Sequence, residues 1–581
     1  MRSARIDDLS AGTAFGFTEP LGLLETDQAD QVRHVMSEAE RAAHLGNWVV
    51  GFVAYEAAAA FDSAFTVVAT PGQPLVRFAV FAQRDVLPSL DTARAPQHRI
   101  TDLRRSAGTM PYVEAVDVIR HRIERGDVYQ VNHTDRLHGH LQGEPFDLYV
   151  SMALAQRGAY NAYLDFGDQI IVSASPELFL RWDGDTLLAK PMKGTVVRGR
   201  RQGDDAVRHR ELVEDPKQRA ENVMIVDLLR NDLSRVAQVG SVRVPSLFEA
   251  ERYETVWQMT STVAVTPKPE TTLVDMFAAA FPCGSITGAP KASAMSIIAE
   301  LEGRPRGVYC GAIGVLAPPG RGARATFSVA IRTAVINPAS GLLTYGVGGG
   351  ITWSSDPVAE DAEVVAKARV LSERRPPMQL LETMYLGQNG VRNRSLHMQR
   401  LLDSAAWFGF DANETRISQK LDGLGTPIEP HRVRLLLARD GNPTVETFVL
   451  GDAPPVVNVV VDQHVVRSDD VFCLHKTTNR SVYEAAQARH PGVDDVILIN
   501  ERGEVVETAI ANLLYRLGDS WFTPPLSSGG LDGIGRAVEL ASGRVSERVL
   551  FASELSACDE LAVVSSLRGV RRAEIVANAM I

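Results

Sequence analysis

The 581-residue chain is poor in cysteine: Cys283, Cys310, Cys473 and Cys558 lie far apart and form no CxxC pair. That spacing argues against a zinc site or a disulfide frame and for reduced thiols in a cytoplasmic protein. Basic charge is also short, with 60 Lys and Arg against 71 Asp and Glu and a formal net charge of −11. Nucleic acid wants a basic face and is disfavoured as a partner, whereas an anionic small molecule needs only a few local cations. No apolar run reaches the about eighteen residues of a membrane span, and "MRSARIDDLSAG" has no apolar signal region. No membrane association is expected.

What is present is ordinary globular material, 45% apolar and 23% charged, in a chain too long for one core. The clearest boundary is "LSERRPPMQ", Leu371 to Gln379, and a Pro-rich link "GDAPPVV" from Gly451 joins two lobes of the C-terminal third. "APPGRGARA", from Ala317, reads as a hairpin between apolar strands. "YVEAVDVIRHRIERGD" puts Tyr112, Val116, Ile119 and Ile123 on one helical face that stops at Gly126, while "YQVNHT", "ATFSVAIRTAVI" and "DDVILIN" read as strands. Helices and strands interleave without a βαβ beat, so the expected class is α+β.

Two helices begin alike, at Asp215-Pro216 and Asp356-Pro357, with aspartate as N-cap and proline in the first turn. Glu360, Glu363 and Lys367 share one face of the second, and Gln218 and Glu221 one face of the first. Such carboxylates can hold Mg²⁺, or they can simply complement the helix dipole and face water. "FPCGSITGAPKASAM" is a Gly-rich loop entering a helix without the phosphate-loop spacing. In "KPMKGT", proline, glycine and threonine around Lys193 predict a rigid turn that presents the amine to a site.

From about Ser106 to Leu371 these segments, with "GDVYQVNHT", "SASPELFL", "RGVYCGAIG", "FSVAIRTA" and "GVGGGITWSSDPVAEDAE", resemble the chorismate-utilising family. That family includes anthranilate synthase and aminodeoxychorismate synthase component I, and "VVGFVAYEAAAAFD" is similar to its first lobe. The resemblance implies a two-lobed β-sandwich with flanking helices. It makes Glu221 and Glu363, with Glu360 close by, ligands of a Mg²⁺ that holds the chorismate ring carboxylate. Arg332, Tyr309 and Lys367 match groups around the substrate carboxylates, and Ser285, Gly349 and Gly350 match loop contacts. Lys193 matches the aminodeoxychorismate branch, where the amine attacks the ring, and Glu177 matches the acid that protonates the departing hydroxyl. Gln218 stands where many relatives carry a carboxylate, and Gln258 where anthranilate synthases carry histidine. No glutaminase nucleophile elbow surrounds any cysteine, so a separate glutamine amidotransferase subunit, or free ammonia, is implied.

From about Pro377 the motifs "LLETMYL", "LHMQRLLDSAAWFGF", "HKTTNRSVYEAA", "DDVILINERGEVVETAIANLL", "TPPLSSGGLDGIGR" and "VSSLRGV" resemble the fold-type IV pyridoxal-phosphate family. Lys476 matches the lysine that binds the cofactor, Glu507 the acid at the pyridinium nitrogen, and Arg400 the phosphate-binding arginine. Backbone donors near Ile534, Gly535 and Ser566 complete the phosphate site, with glycine at 535 where the pattern usually has threonine. The implied organisation is a synthase unit with its N-terminal part at 1–105 and catalytic region at 106–371, a linker at 372–378 and a lyase domain at 379–581. The implied activity joins chorismate and ammonia to aminodeoxychorismate, then releases pyruvate to give 4-aminobenzoate. The alternatives are an anthranilate-type synthase fused to an amino acid aminotransferase, or a C-terminal domain that is a non-catalytic scaffold. A homodimer is expected by analogy.

Overall fold

The computed structural model describes residues 1–92, 96–372 and 377–576. The expected linker at 372–378 falls largely on 373–376, which lie outside the described residues. The chain forms two compact units, one of Met1–Arg198 with Arg208–Pro377, the other of Gly199–Val207 with Met378–Ile581.

The first unit is built on two ten-stranded sheets whose strands pair antiparallel. The longest strand of one, Gln130–Gly143, pairs from Val131 to His140 with Leu342–Ile351. "YQVNHT" lies in this strand as expected, and the strand is buried on both faces from Gln130 to Leu137. Phe17, Ala162, Leu164 and Ile171 of this sheet share a core with Trp48, Val50, Phe52 and Ile313 of the other, so the sheets pack as a sandwich. Helices cover the outside. Tyr112–Glu124, Pro145–Gln156 and Lys291–Glu302 bury their apolar stripes on the first sheet. Val32–His44, Pro216–Ser234 and Leu273–Ala280 bury theirs on the second. Strands of the first hundred residues thus belong to the same sheets as the later ones.

Sequence signals explain the local geometry. Asp215 accepts from the N–H groups of Lys217 (2.7 Å) and Gln218 (3.1 Å), and Asp356 from Ala359 (2.8 Å), so both aspartates cap their helices as expected. The hairpin at "APPGRGARA" joins Ala312–Leu316 to Ala325–Val329. "ATFSVAIRTAVI" is two strands rather than one: Ala325–Val329 lies in one sheet and Thr333–Ile336 in the other. The break falls at Arg332, whose φ of 49° is left-handed.

The second unit has two lobes. A four-stranded sheet that includes Leu380–Gly387, His431–Leu437 and Pro443–Val449 carries the helices Arg394–Phe408 and Glu414–Asp422. An eight-stranded mixed sheet follows, in which Val456–Val461 runs parallel to Asp495–Ile499 and to Gly569–Ile575.

One buried ion pair ties the Gly-rich loop of the first unit to its longest strand, Gln130–Gly143. Glu302 accepts from Thr134 N (2.9 Å), Thr134 Oγ1 (2.8 Å) and Arg306 Nη2 (2.7 Å), and Arg306 donates onward to Ile286 O and Asn132 O at 2.7 Å each. Removing one member strands the other charge out of water, at a cost of about 3–5 kcal/mol. Glu302→Ala is therefore expected to lower the first unit's urea midpoint severely, and Glu302→Gln, which keeps an acceptor, less so.

Candidate active sites

"KPMKGT" is not a turn. Met192–Val197 is a strand, and between Met192 and Thr195 its pairing with Val256–Val265 slips by one residue. That bulge contains Lys193 and Gly194, and Gly194 takes a φ of 110° that only glycine adopts readily. The extra residue re-aims Lys193 out of the ladder. Asn222 then fixes its backbone, donating to Lys193 O (3.3 Å) while accepting from Ser261 Oγ (2.6 Å). Gln258 shares a side-chain hydrogen bond with Thr195 at 2.8 Å, and Gln218 Oε1 lies against Gly194.

Lys193 Nζ stands 3.2 Å from Glu221 Oε2. Opposite, Gly349 and Gly350 leave open the space that side chains would take. A Cβ on Gly350 would meet Lys193 Nζ at 3.1 Å and Gln130 Nε2 at 3.0 Å, and one on Gly349 would meet Glu360 Oε2 at 3.3 Å and Lys367 Nζ at 3.6 Å. Lys367 bonds Gly348 O (2.9 Å) and Glu363 Oε1 (2.8 Å), so helix and strand hold one another. Lys367 and Lys193 hold Glu363 below the usual carboxylate range against the opposing effect of burial, whereas burial pushes Glu360 up. Two lysines and three carboxylates thus surround a gap floored by glycine.

Glu177 is the buried member. Burial pushes it up to about 7, against hydrogen bonds from Ser285, from the N–H of Met192 and from Cys283. The Cys283 thiol, itself pushed up to about 12 by burial, lies 3.9 Å from Glu177 Oε1 and 3.2 Å from Ser285 Oγ. Tyr309 and Arg332 border Tyr345 instead: Tyr309 is buried with its ring against Gly346 and the Arg136 guanidinium 4.9 Å from its centre. Sequence reasoning missed Asn222 and Gln130. Gln130 lies in "GDVYQVNHT" and Asn222 directly follows Glu221 on the helix that opens at Asp215, but nothing in their spacing separates them from ordinary buried amides.

Among the described residues no three His, Cys, Asp or Glu side chains converge as a metal cluster. The donor set still suits a hard cation, because Mg²⁺ takes one or two carboxylates, keeps waters and shares the substrate's oxygens.

In the second unit Lys476 follows His475 and is partly enclosed; burial, then the charge of Arg400, brings its amine down to about 8. Burial pushes Glu507 up to about 7. Its oxygens accept from Tyr483 Oη (2.8 Å), Leu531 N (3.2 Å) and Asn512 Nδ2 (3.0 Å). Arg400 forks onto buried Glu382 through Nε (2.9 Å) and Nη2 (2.6 Å), and His397 links Glu382 (2.6 Å) to Ser566 Oγ (2.8 Å). Burial opposes ionisation of Glu382, yet Arg400 and His397 prevail and hold it near 2. Glu382 and His397 were missed, although "LLETMYL" and "LHMQRLL" contain them. Ile534 opens a helix, so its N–H and that of Gly535 lack intrahelical partners. A Cβ at Gly535 would lie 2.7–3.0 Å from the backbone of Ser565, so the threonine usual there has no room. Lysine, raised carboxyl and an arginine beside a helix N-terminus fit pyridoxal phosphate.

The architecture and donor sets define a chain of two enzyme-like units, one for a small carboxylate-rich ligand and one for a phosphorylated aldehyde cofactor. The chain belongs to the family of chorismate binding enzymes, matched over residues 6–373, and residues 379–576 match the class IV amino-transferases, a class that implies pyridoxal phosphate. It is 41% identical over 278 residues to an aminodeoxychorismate synthase of Streptomyces griseus, covering 48% of this chain and 37% of that one. Anthranilate synthase component 1 of Streptomyces coelicolor is 39% identical over 261 residues, covering 45% and 50%. The chain thus spans half or less of these curated relatives. The crystal structure of anthranilate synthase component I from Streptococcus pneumoniae shares the fold, with a TM-score of 0.53 at 23% identity over 64% of this chain and 92% of that one. No helix among the described residues is long and apolar enough to cross a membrane.

Because the Gly350 Cβ would meet side-chain ends rather than backbone, Gly350→Ala should leave the fold intact while displacing Lys193. Isothermal titration is expected to show chorismate affinity at least about tenfold weaker, some 1.4 kcal/mol. Wild-type affinity would remove this strand from the site.

Proposed function

We propose that the first unit aminates chorismate to aminodeoxychorismate and that the second releases pyruvate from it to leave 4-aminobenzoate. The observation that carries this reading is Lys193, turned by the bulge to Glu221 and the glycine-floored gap, next in the chain to Met192, whose N–H donates to the buried carboxyl of Glu177, raised by burial to about 7. Identity alone does not choose between aminodeoxychorismate and anthranilate synthesis, since relatives of both kinds match about equally well. The amine chooses. Lys193 forms a bond to C2 of the ring as the C4 hydroxyl leaves with the proton of Glu177. Ammonia then bonds at C4, and the C2–N bond breaks to return the lysine. A partner glutamine amidotransferase supplies the ammonia.

Glu221, Glu360 and Glu363 would hold Mg²⁺, which would neutralise a substrate carboxylate. Lys367 would pair with one carboxylate of the substrate and Ser285 would line the site, while Arg332 and Tyr309, beside Tyr345, would take the other carboxylate. In the second unit, pyridoxal phosphate would supply an electron sink for the carbon bearing the substrate amine. Glu507 would pair with the ring nitrogen, Arg400 with Ser566 and the N–H groups of Ile534 and Gly535 would hold the phosphate, and Lys476 would be the group that moves the ring proton. The protein works in the cytoplasm.

Glu177 must carry its proton to serve as the acid. With its carboxyl near 7 the acid form prevails below that pH, so the amination rate should fall about tenfold per pH unit above it. Ser285→Ala removes a donor that favours the carboxylate, so the descending limb should move to higher pH. A limb unmoved by both Ser285→Ala and Glu177→Gln would exclude Glu177 as the acid.

The two units are separable by substitution. Lys476→Ala, given chorismate, Mg²⁺ and ammonium, should consume chorismate and accumulate aminodeoxychorismate, and an added active lyase should restore 4-aminobenzoate. If the C-terminal unit were a scaffold, the variant would make 4-aminobenzoate as the wild type does; chromatography over time distinguishes the two.

A further inference from the structure

Nine residues of the second unit, Gly199–Val207, come from the middle of the region matched to the chorismate binding family, far from the class IV region. They are bound by specific polar contacts. Trp407 Nε1 donates to Gly199 O at 2.8 Å, and His475 Nε2 lies 3.2 Å from Arg200 O. The His475 ring lies against Trp407, tilted with ring centres 4.9 Å apart, and His475 directly precedes Lys476. The next residue, Arg201, reaches the other side of the cofactor site, where Nη2 donates to Gly530 O at 3.1 Å.

That last bond matters because of what the same peptide group does on its far side. The C=O of Gly530 and the N–H of Leu531 belong to one planar amide. The N–H donates to Glu507 Oε1 at 3.2 Å. Gly530 lies against this carboxyl, since a Cβ there would be in van der Waals contact with Glu507 Cδ at 3.5 Å. Asn512 closes the ring, donating to Glu507 Oε2 and to Leu531 O, both at 3.0 Å. A cation on the carbonyl end of an amide strengthens its N–H as a donor, since hydrogen bonds in series polarise one another. The guanidinium is itself half-buried and feels the charges of Asp532, Arg536, Asp204 and Glu507; burial is the main influence on it. Gly530 O is its one hydrogen-bond partner among the described residues.

We propose that Arg201 is a positioning residue of the cofactor site, holding the Gly530–Leu531 peptide against Glu507 and favouring the carboxylate through it. The inference rests on the reading of the second unit as a pyridoxal-phosphate enzyme. The groups facing Glu507 are then Tyr483, Asn512, the Leu531 N–H, Lys476, Arg480 and Cys473, with Arg201 acting from behind the peptide. A region outside the class IV part of the chain thereby sets the electron-withdrawing strength of the second unit's cofactor.

The test uses the full-length protein titrated with pyridoxal phosphate, read by the visible absorbance of the bound cofactor across pH. Arg201→Gln should weaken cofactor binding about tenfold and raise the pH midpoint of the absorbance change by about one unit, since a cation favouring the carboxylate is lost. Arg201→Lys, which keeps the charge, should restore most of the midpoint. Arg208→Gln, an exposed arginine paired with Glu211 next to the same segment, should move neither. Unchanged affinity and midpoint in Arg201→Gln, or an equal change in Arg208→Gln, would overturn the proposal. A wild-type protein that gives no cofactor absorbance would instead overturn the reading on which it rests.

Discussion

Keeping a carboxyl group out of water is the constraint on which both sites depend. Glu177 and Glu507 are each almost fully buried, and each is pushed up to about 7 with burial as the leading cause. Neither sits beside a salt-bridged arginine, which would have driven it the other way, as Arg400 does to Glu382. Instead each receives two or three neutral hydrogen bonds, enough to fix its orientation without committing its charge. A carboxyl so balanced can give or keep a proton near neutrality with little cost.

The lysines are placed by backbone rather than by side-chain packing. Lys193 owes its direction to one extra residue in a strand and to the left-handed glycine after it. Room for a ligand opposite comes from two glycines on a strand whose neighbouring positions are tightly filled: at Gly348 a Cβ would stand 2.1 Å from His133 O, and at Gly346 2.2 Å from the Tyr309 ring. The run "GVGGG" therefore does two jobs. Its first two glycines permit close packing, and its last two leave space for chemistry. Composition alone shows only a glycine-rich strand.

How much was legible follows from the range of each signal. Helix starts at Asp215 and Asp356 are local, and they fall where the sequence puts them because a cap needs only its own first turn. The α+β class rests on long stretches and is equally plain. "KPMKGT" was misread as a turn because a bulge shares a turn's glycine but is defined by a partner strand about sixty-five residues away. "LLET" shows the same limit. Glu25 is an exposed partner of Arg77, whereas Glu382, in the same tetrapeptide, is buried and forked to Arg400. Four identical letters have opposite environments, and only tertiary pairing distinguishes them.

Gly199–Val207 carries this point furthest. By sequence it continues an Arg-rich stretch six residues beyond Lys193, in a region matched to one family; by packing it belongs with the other unit. A cut at residue 379 would follow the family boundary yet remove Arg201, the residue hydrogen-bonded to the peptide that holds Glu507. Gly199 itself tolerates no substitute, since a Cβ would lie 2.2 Å from Asp205 N, so the segment's path is fixed by its own backbone as well as by its partners. Fusion in this chain is thus more than two catalysts on one string: part of the first family's sequence has become structure of the second unit. The physical domain is defined by which groups satisfy one another's hydrogen bonds, and here that boundary crosses the sequence boundary twice.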